Sequence, residues 1–301
     1  MADRAASVLA RLKSKAAQSG RTYQLCLQLF CQEEFLRRLQ CSPYAENMVL
    51  KGGLFLYTLT QFESRATLDV DFLLRNLPNT PEKLLTVLQE IVQTDTGNDF
   101  ITFEVTHVGE ISAAKKYKGI TATILARVKH TRTVFGVDFG VGDVIVPQQE
   151  KRAILTQLSD FAAPVVNTYS VETTIAEKLD AILYLKAFSS RMKDYYDIYY
   201  LAHKFDFDGP TLCEALQKTF ANRERQYTAA DFAQVTALAD DADMQKKWAA
   251  FLKKLQAPAV AFEDALGVLD RFLGGVFLAA VDGGSLERVW TASESAWGNI
   301  A

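Results

Sequence analysis

Asp69-Val70-Asp71 sets two carboxylates inside an apolar run, Thr67 to Leu74 (TLDVDFLL). A run of that composition reads as a strand, and strand side chains alternate between faces. Asp69 and Asp71 therefore point one way, and Val70 and Phe72 the other. Carboxylates about 7 Å apart on one face repel each other and need a cation or protons between them. A hard divalent ion with oxygen ligands answers that need, and magnesium is the usual choice when phosphates supply further ligands.

A third carboxylate sits in similar surroundings. Val134 to Phe139 is a second apolar strand with one acidic residue, Asp138. If the two strands are neighbours, Asp138 joins the pair. Three carboxylates can serve two metals, one activating an attacking hydroxyl and one clamping a triphosphate. Upstream, Met48-Val-Leu50 runs into Lys51-Gly52-Gly53 and then Leu54 to Leu59. That order reads as strand, tight glycine turn and helix. Glycines let a backbone come close to phosphate, and the helix start offers N–H groups and a positive dipole end. Lys51 stands beside them. Taken singly, an Asp-x-Asp is most often a surface pair, a Gly-Gly a turn and a strand aspartate a cap. Their order along the chain is far more specific.

The remaining sequence bounds the setting. With 301 residues, 49% apolar and 23% charged, the chain has material for one large domain or two ordinary ones. Phe272 to Val281 is about half the length a membrane helix needs. The N-terminal stretch mixes charged and apolar residues and does not read as a signal peptide. The four cysteines form no CxxC pair and the three histidines are scattered, which argues against a zinc site or a disulfide framework and fits the cytoplasm. Net charge is −3, yet six Lys or Arg and no acid lie between Lys115 and Arg132. Lys115, Lys116, Lys118, Arg127 and Lys129 are thus candidates for RNA phosphates, with plain solvated surface an even alternative.

The pattern predicts helices over 3–17, 22–40 and 81–93, with Pro81 at the start of the last. It predicts strands over 67–74, 100–109, 119–130 and 132–139, and sheet or edge at 144–146. Ser170 reads as an N-cap with Glu172 in the first turn. Helices suit 191–203, 210–220, 229–236, 241–255 and 259–273. The organisation expected is α+β: N-terminal helices and a mixed-sheet core in 1–150, then a helical C-terminal half in 151–301. In that half, spacing alone favours surface ion pairs from Arg191 to Asp194 and from Lys193 to Asp197.

Leu50-Lys51-Gly52-Gly53, Arg65-Ala-Thr67-Leu-Asp69-Val-Asp71 and Val137-Asp138-Phe139 together resemble the AbiEii/AbiGii toxin family of nucleotidyltransferases, within the DNA polymerase β superfamily. Arg37-Arg-Leu-Gln-Cys-Ser42-Pro43-Tyr44, Glu172 to Leu179 and Arg191 to Asp197 are similar too. The resemblance implies a nucleotidyltransferase-like core, with the helical half completing the active-site cleft. It implies magnesium on Asp69, Asp71 and Asp138. Lys51, Gly52, Gly53, Arg65, Thr67, Lys178 and Asp194 would serve the nucleotide, and Asp197 would join the active-site set. Two positions depart from the family pattern: Leu54 stands where Thr or Ser is frequent, and Leu68 where a polar residue is common. The activity implied is that of a toxin transferring a nucleotide from an NTP to an acceptor, a tRNA 3′ end for some relatives, beside a winged-helix antitoxin. Two other readings share these residues: transfer of a nucleotide or phosphate to a protein or small molecule, and a non-catalytic NTP-binding module.

Overall fold

Apolar–polar alternation builds the main sheet, which sits in the first of two units. A computed structural model describes residues 3–111, 119–188 and 190–299. The first unit comprises 1–143 with 149–169, and the second 144–148 with 170–301. Among the described residues there are ten α-helices and ten strands, an α+β fold.

In the first unit, α1 (Arg4–Ser19), α2 (Tyr23–Cys41), α3 (Gly52–Leu59) and α4 (Pro81–Gln93) accompany seven strands. These are β1 (Met48–Lys51), β2 (Val70–Leu74), β3 (Ile101–Glu110), β4 (Ile120–Val128), β5 (Thr131–Gly140), β6 (Glu150–Ala153) and β7 (Val165–Thr168). Their order is β3-β4-β5-β2-β1-β7-β6. The sheet is mixed: β2 runs parallel to β5 and antiparallel to β1, and β1 runs parallel to β7. One face carries a core with α2, where the Phe35 ring lies 6.4 Å from Phe72 and 6.0 Å from Phe135. Phe72 and Phe139 stack at 6.0 Å. These aromatics alternate with Asp71, Gly136 and Asp138, so the opposite face of the same strands is left to the carboxylates.

The second unit holds α5 (Val171–Leu185), α6 (Met192–Lys204), α7 (Gly209–Asn222), α8 (Ala229–Thr236), α9 (Ala242–Leu255) and α10 (Phe262–Val281). It also has a three-stranded sheet of β8 (Phe207–Asp208), β9 (Arg288–Thr291) and β10 (Ala296–Asn299). Helix α5 starts at the Ser170 cap, whose side chain accepts from the Thr173 N–H. Phe272 and Phe277 on α10 anchor the aromatic core, against Trp290 at 4.9 Å and Phe232 at 5.0 Å.

Four sequence expectations are revised. The strand begins at Val70, and Thr67 to Asp69 form an irregular approach to it. Residues 144–146 make no strand; Val146 is held by hydroxyls at the α5 start, its N–H donating to Thr173 Oγ1 at 2.8 Å. Residues 151–169, expected in the helical half, belong with 149 and 150 to the sheet unit, where 149–169 carry β6 and β7. The later half is not purely helical, because β8 to β10 form a small sheet and α10 runs on to Val281. Strands of two to four residues are too short to display a period, which is why the pattern missed them.

Candidate active site

Two neighbouring strands place the acidic residues. In the β2–β5 ladder, Asp71 and Asp138 are Cα partners, and in the β1–β2 ladder Lys51 is the partner of Asp71. Directly paired residues point to the same face. Asp138, Asp71 and Lys51 thus form one row across three strands, with neighbouring strands about 4.8 Å apart. The other face is closed: Val70, Phe72 and Val137 are fully buried. Asp71 and Asp138 are half-buried and Asp69 is exposed.

Glycines supply the room. Gly52 has φ of +69°, and a Cβ there would come within 2.1 Å of Asp71 Oδ2. Any side chain at 52 would be strained twice, by the backbone and by the carboxylate. A Cβ on Gly136 would reach Asp69 Oδ1 at 3.0 Å, so Asp69 leans over β5 two residues before Asp138. A Cβ on Gly53 would meet Thr67 Oγ1 at 2.7 Å. Gly52, Gly53 and Thr67 are therefore a packed set with Asp71, and α3 begins there with its first-turn N–H groups. Leu54, at the position where Thr or Ser was expected, is 2% exposed and joins the core. Leu68 points its side chain outward, at 56% exposure, so its departure leaves the carboxylates alone.

Lys51 is engaged on the flank. Its Nζ lies 2.6 Å from Asp143 Oδ2 and 3.1 Å from the Tyr169 hydroxyl, which itself donates to Asp143 at 3.0 Å. The sequence pattern marked neither Asp143 nor Tyr169, nor Gly136. For Gly136 a signal existed, since a glycine inside a strand marks a close approach. Arg65 and Thr67 lie on the irregular approach to β2, both half-buried.

The donor set fits a hard divalent cation by its chemistry: all oxygen, all anionic, with two glycine hollows kept for the carboxylates. Among the described residues, no three His, Cys, Asp or Glu side chains stand together as a preformed metal cage. The acids lie spread along a sheet face.

The second unit has its own charged cluster. Lys178 on α5 pairs with Asp194 at 3.1 Å and Asp197 at 2.5 Å, both on α6. Arg191 pairs with Asp194 at 2.5 Å, as the spacing predicts. These are not surface pairs, since Asp194 and Asp197 are 1% and 3% exposed. Burial raises the Asp194 carboxyl, but Lys178 and Arg191 more than offset it and hold the group below the usual carboxylate range.

For the RNA candidates the picture is mixed. Arg127 lies 3.2 Å from Glu104 and Lys129 2.5 Å from Asp3, all well exposed. Lys115, Lys116 and Lys118 lie outside the described residues. No helix among the described residues is long and apolar enough to cross a membrane.

The family model described as nucleotidyl transferase AbiEii toxin, type IV TA system, matches residues 34–268. Comparison with curated proteins finds no match. Among solved structures, JHP933 from Helicobacter pylori is similar at TM-score 0.46 and 15% identity, over 87% of this chain and 94% of that one. A second H. pylori structure is similar at TM-score 0.45 and 15% identity, over 87% and 96%.

Proposed function

We infer from the family to which this chain belongs, the AbiEii nucleotidyl transferase toxins of type IV toxin–antitoxin systems, that it transfers a nucleoside monophosphate from an NTP to an RNA 3′ hydroxyl, with a tRNA as acceptor. The observation that supports this most is the register of Asp71 with Asp138, beside the glycine that makes room for Asp71.

Asp69, Asp71 and Asp138 would hold magnesium. The metal would neutralise charge building on the triphosphate and on the departing pyrophosphate. The backbone N–H groups at the start of α3 would donate to phosphate oxygens, with Gly52 and Gly53 leaving the approach open. Asp138 would take the proton of the attacking hydroxyl, being half-buried and next to Asp71. Lys51 contributes a positive charge at the end of the row. Lys178 and Asp197 would act in nucleotide handling, Lys178 through its charge on phosphate. The setting is the cytoplasm, and the partner a winged-helix antitoxin.

The test is incubation of the protein with total tRNA, magnesium and each labelled NTP in turn. Label enters tRNA with wild type and is lost in Asp71→Ala. Label on protein or a small molecule, or tight magnesium–NTP binding without turnover, would overturn the RNA acceptor. If RNA binding uses the basic segment, charge reversal at Lys115, Lys116 and Lys118 weakens it and flattens its salt dependence.

A further inference from the structure

Helix α2 aims a row of glutamines at the active-site strands. Gln24, Gln28 and Gln32 are spaced i, i+4, i+8 and so share one face. Gln24 Nε2 donates to Thr133 Oγ1 on β5 at 2.9 Å. Gln28 and Gln32 both donate to one acceptor, the Leu68 carbonyl, at 2.6 and 2.8 Å. Gln28 is 4% exposed and Gln32 1%. Leu68 immediately precedes Asp69, at a bend where the chain has not yet entered the β2 ladder. The Leu68 carbonyl lies before the start of β2 and accepts from two side chains of α2. Saturating both lone pairs of one carbonyl with buried amides is a strong constraint on the peptide that follows it.

We propose that Gln28 and Gln32 are positioning residues for Asp69: by gripping the Leu68 carbonyl they set the angle at which the Asp69 carboxylate leans over Gly136 toward Asp138. The pair is a peptide clamp, and it acts on the metal-holding carboxylates without touching metal or substrate. Thr67 packs closely against Gly53 and Asp69 against Gly136, on either side of the gripped Leu68 carbonyl. The exposed Leu68 side chain is free to vary because only its carbonyl is used. This inference rests on the assignment of Asp69 to the metal site.

Methionine keeps the length and helix propensity of glutamine and removes the donor. In the full chain, Gln28→Met with Gln32→Met is expected to weaken Mn2+ binding, measured by electron paramagnetic resonance without acceptor, by about 10-fold. Asp69→Asn is expected to weaken it at least as much. The deciding measurement is the combination of all three substitutions. If the glutamines act through Asp69, the triple variant binds Mn2+ no worse than Asp69→Asn alone. Additive losses, or a double methionine variant that binds as wild type does, overturn the clamp while leaving the metal assignment standing. Undiminished Mn2+ binding by Asp69→Asn overturns the assignment and the clamp with it. Circular dichroism melting of each variant, with a folded baseline retained at the assay temperature, separates these outcomes from unfolding.

Discussion

Each unit buries a cluster of charge. On α2, Glu33, Glu34, Arg37 and Arg38 are 8% exposed or less, and on α6 Asp194 and Asp197 are 3% or less. The two clusters spend their hydrogen bonds differently. Those on α2 reach distant backbone: Arg37 to the Ala162 carbonyl at 2.6 Å, Arg38 to the Val92 carbonyl and to that of Ile101 at 2.8 Å, and Glu33 from the Gln157 N–H at 2.9 Å. Glu34 gathers Arg37, Arg38, Thr96 and Asn98. The α2 charges therefore splint the end of α4, the start of β3 and the loops at 96–98 and 157–162 onto the helix. The α5–α6 charges pair side chain to side chain, with Arg191 at 44% side-chain exposure.

The proton affinities follow from that contrast. Burial pushes the Glu33 carboxyl up to about 8, with Arg37, 3.6 Å away, offsetting part of it. Asp194 is nearly as deep, yet two cations within 3.1 Å bring it below its usual value. Burial sets the cost of a charge, and the number and closeness of counter-charges decide the sign of the shift.

The largest effect that would separate the clusters is Glu34→Ala. It strands Arg37 and Arg38 without their shared carboxylate and should cost about 3–5 kcal/mol, read as a lower urea midpoint with transfer falling only as folded protein is lost. Lys178→Met comes next. Asp194 keeps Arg191, so the stability loss should sit near the lower end of that range, about 3 kcal/mol. Transfer by the folded protein should fall by about 100-fold. Equal specific activity of the two folded variants would erase the distinction between splint and site.

The smallest effect is in the pH dependence. A folded pKa raised from 4.5 to about 8 means the native state keeps a proton that the unfolded chain releases. That contribution is full below pH 4.5 and fades as pH climbs to 8. Glu33→Gln should therefore flatten the decline of melting temperature across that window. Asp194 has the opposite sign. Its contribution is present above pH 3.8 and lost as pH falls through the lowered folded value. Asp194→Asn should thus leave the slope between pH 5 and 8 as in wild type. A changed slope there would count against the contrast.

Much of this was legible before any coordinates. The α4 bounds, Pro81–Gln93, and the Ser170 cap follow from local chemistry, a proline at N1 and a hydroxyl before an apolar face. The paired acids, the Gly-Gly turn and the strand aspartate were legible because each is a local departure from an apolar pattern. Less legible were Glu33, Glu34, Arg37 and Arg38, whose burial on α2 no spacing announces. Their partners lie at residues 92 to 162, too far along the chain for any local pattern.

By itself, then, the sequence determined that two acids interrupt an apolar strand segment with glycines upstream, since apolar patterning and turn propensity are properties of a few consecutive residues. Only the tertiary structure decided that β5 lies beside β2 in a register pairing Asp71 with Asp138. Only it decided that Gly136 makes room for Asp69, and that two glutamines from α2 grip the peptide before it. Strand pairing and buried hydrogen bonds join residues tens of positions apart. Their choice depends on how the whole core packs, which no short window of sequence contains.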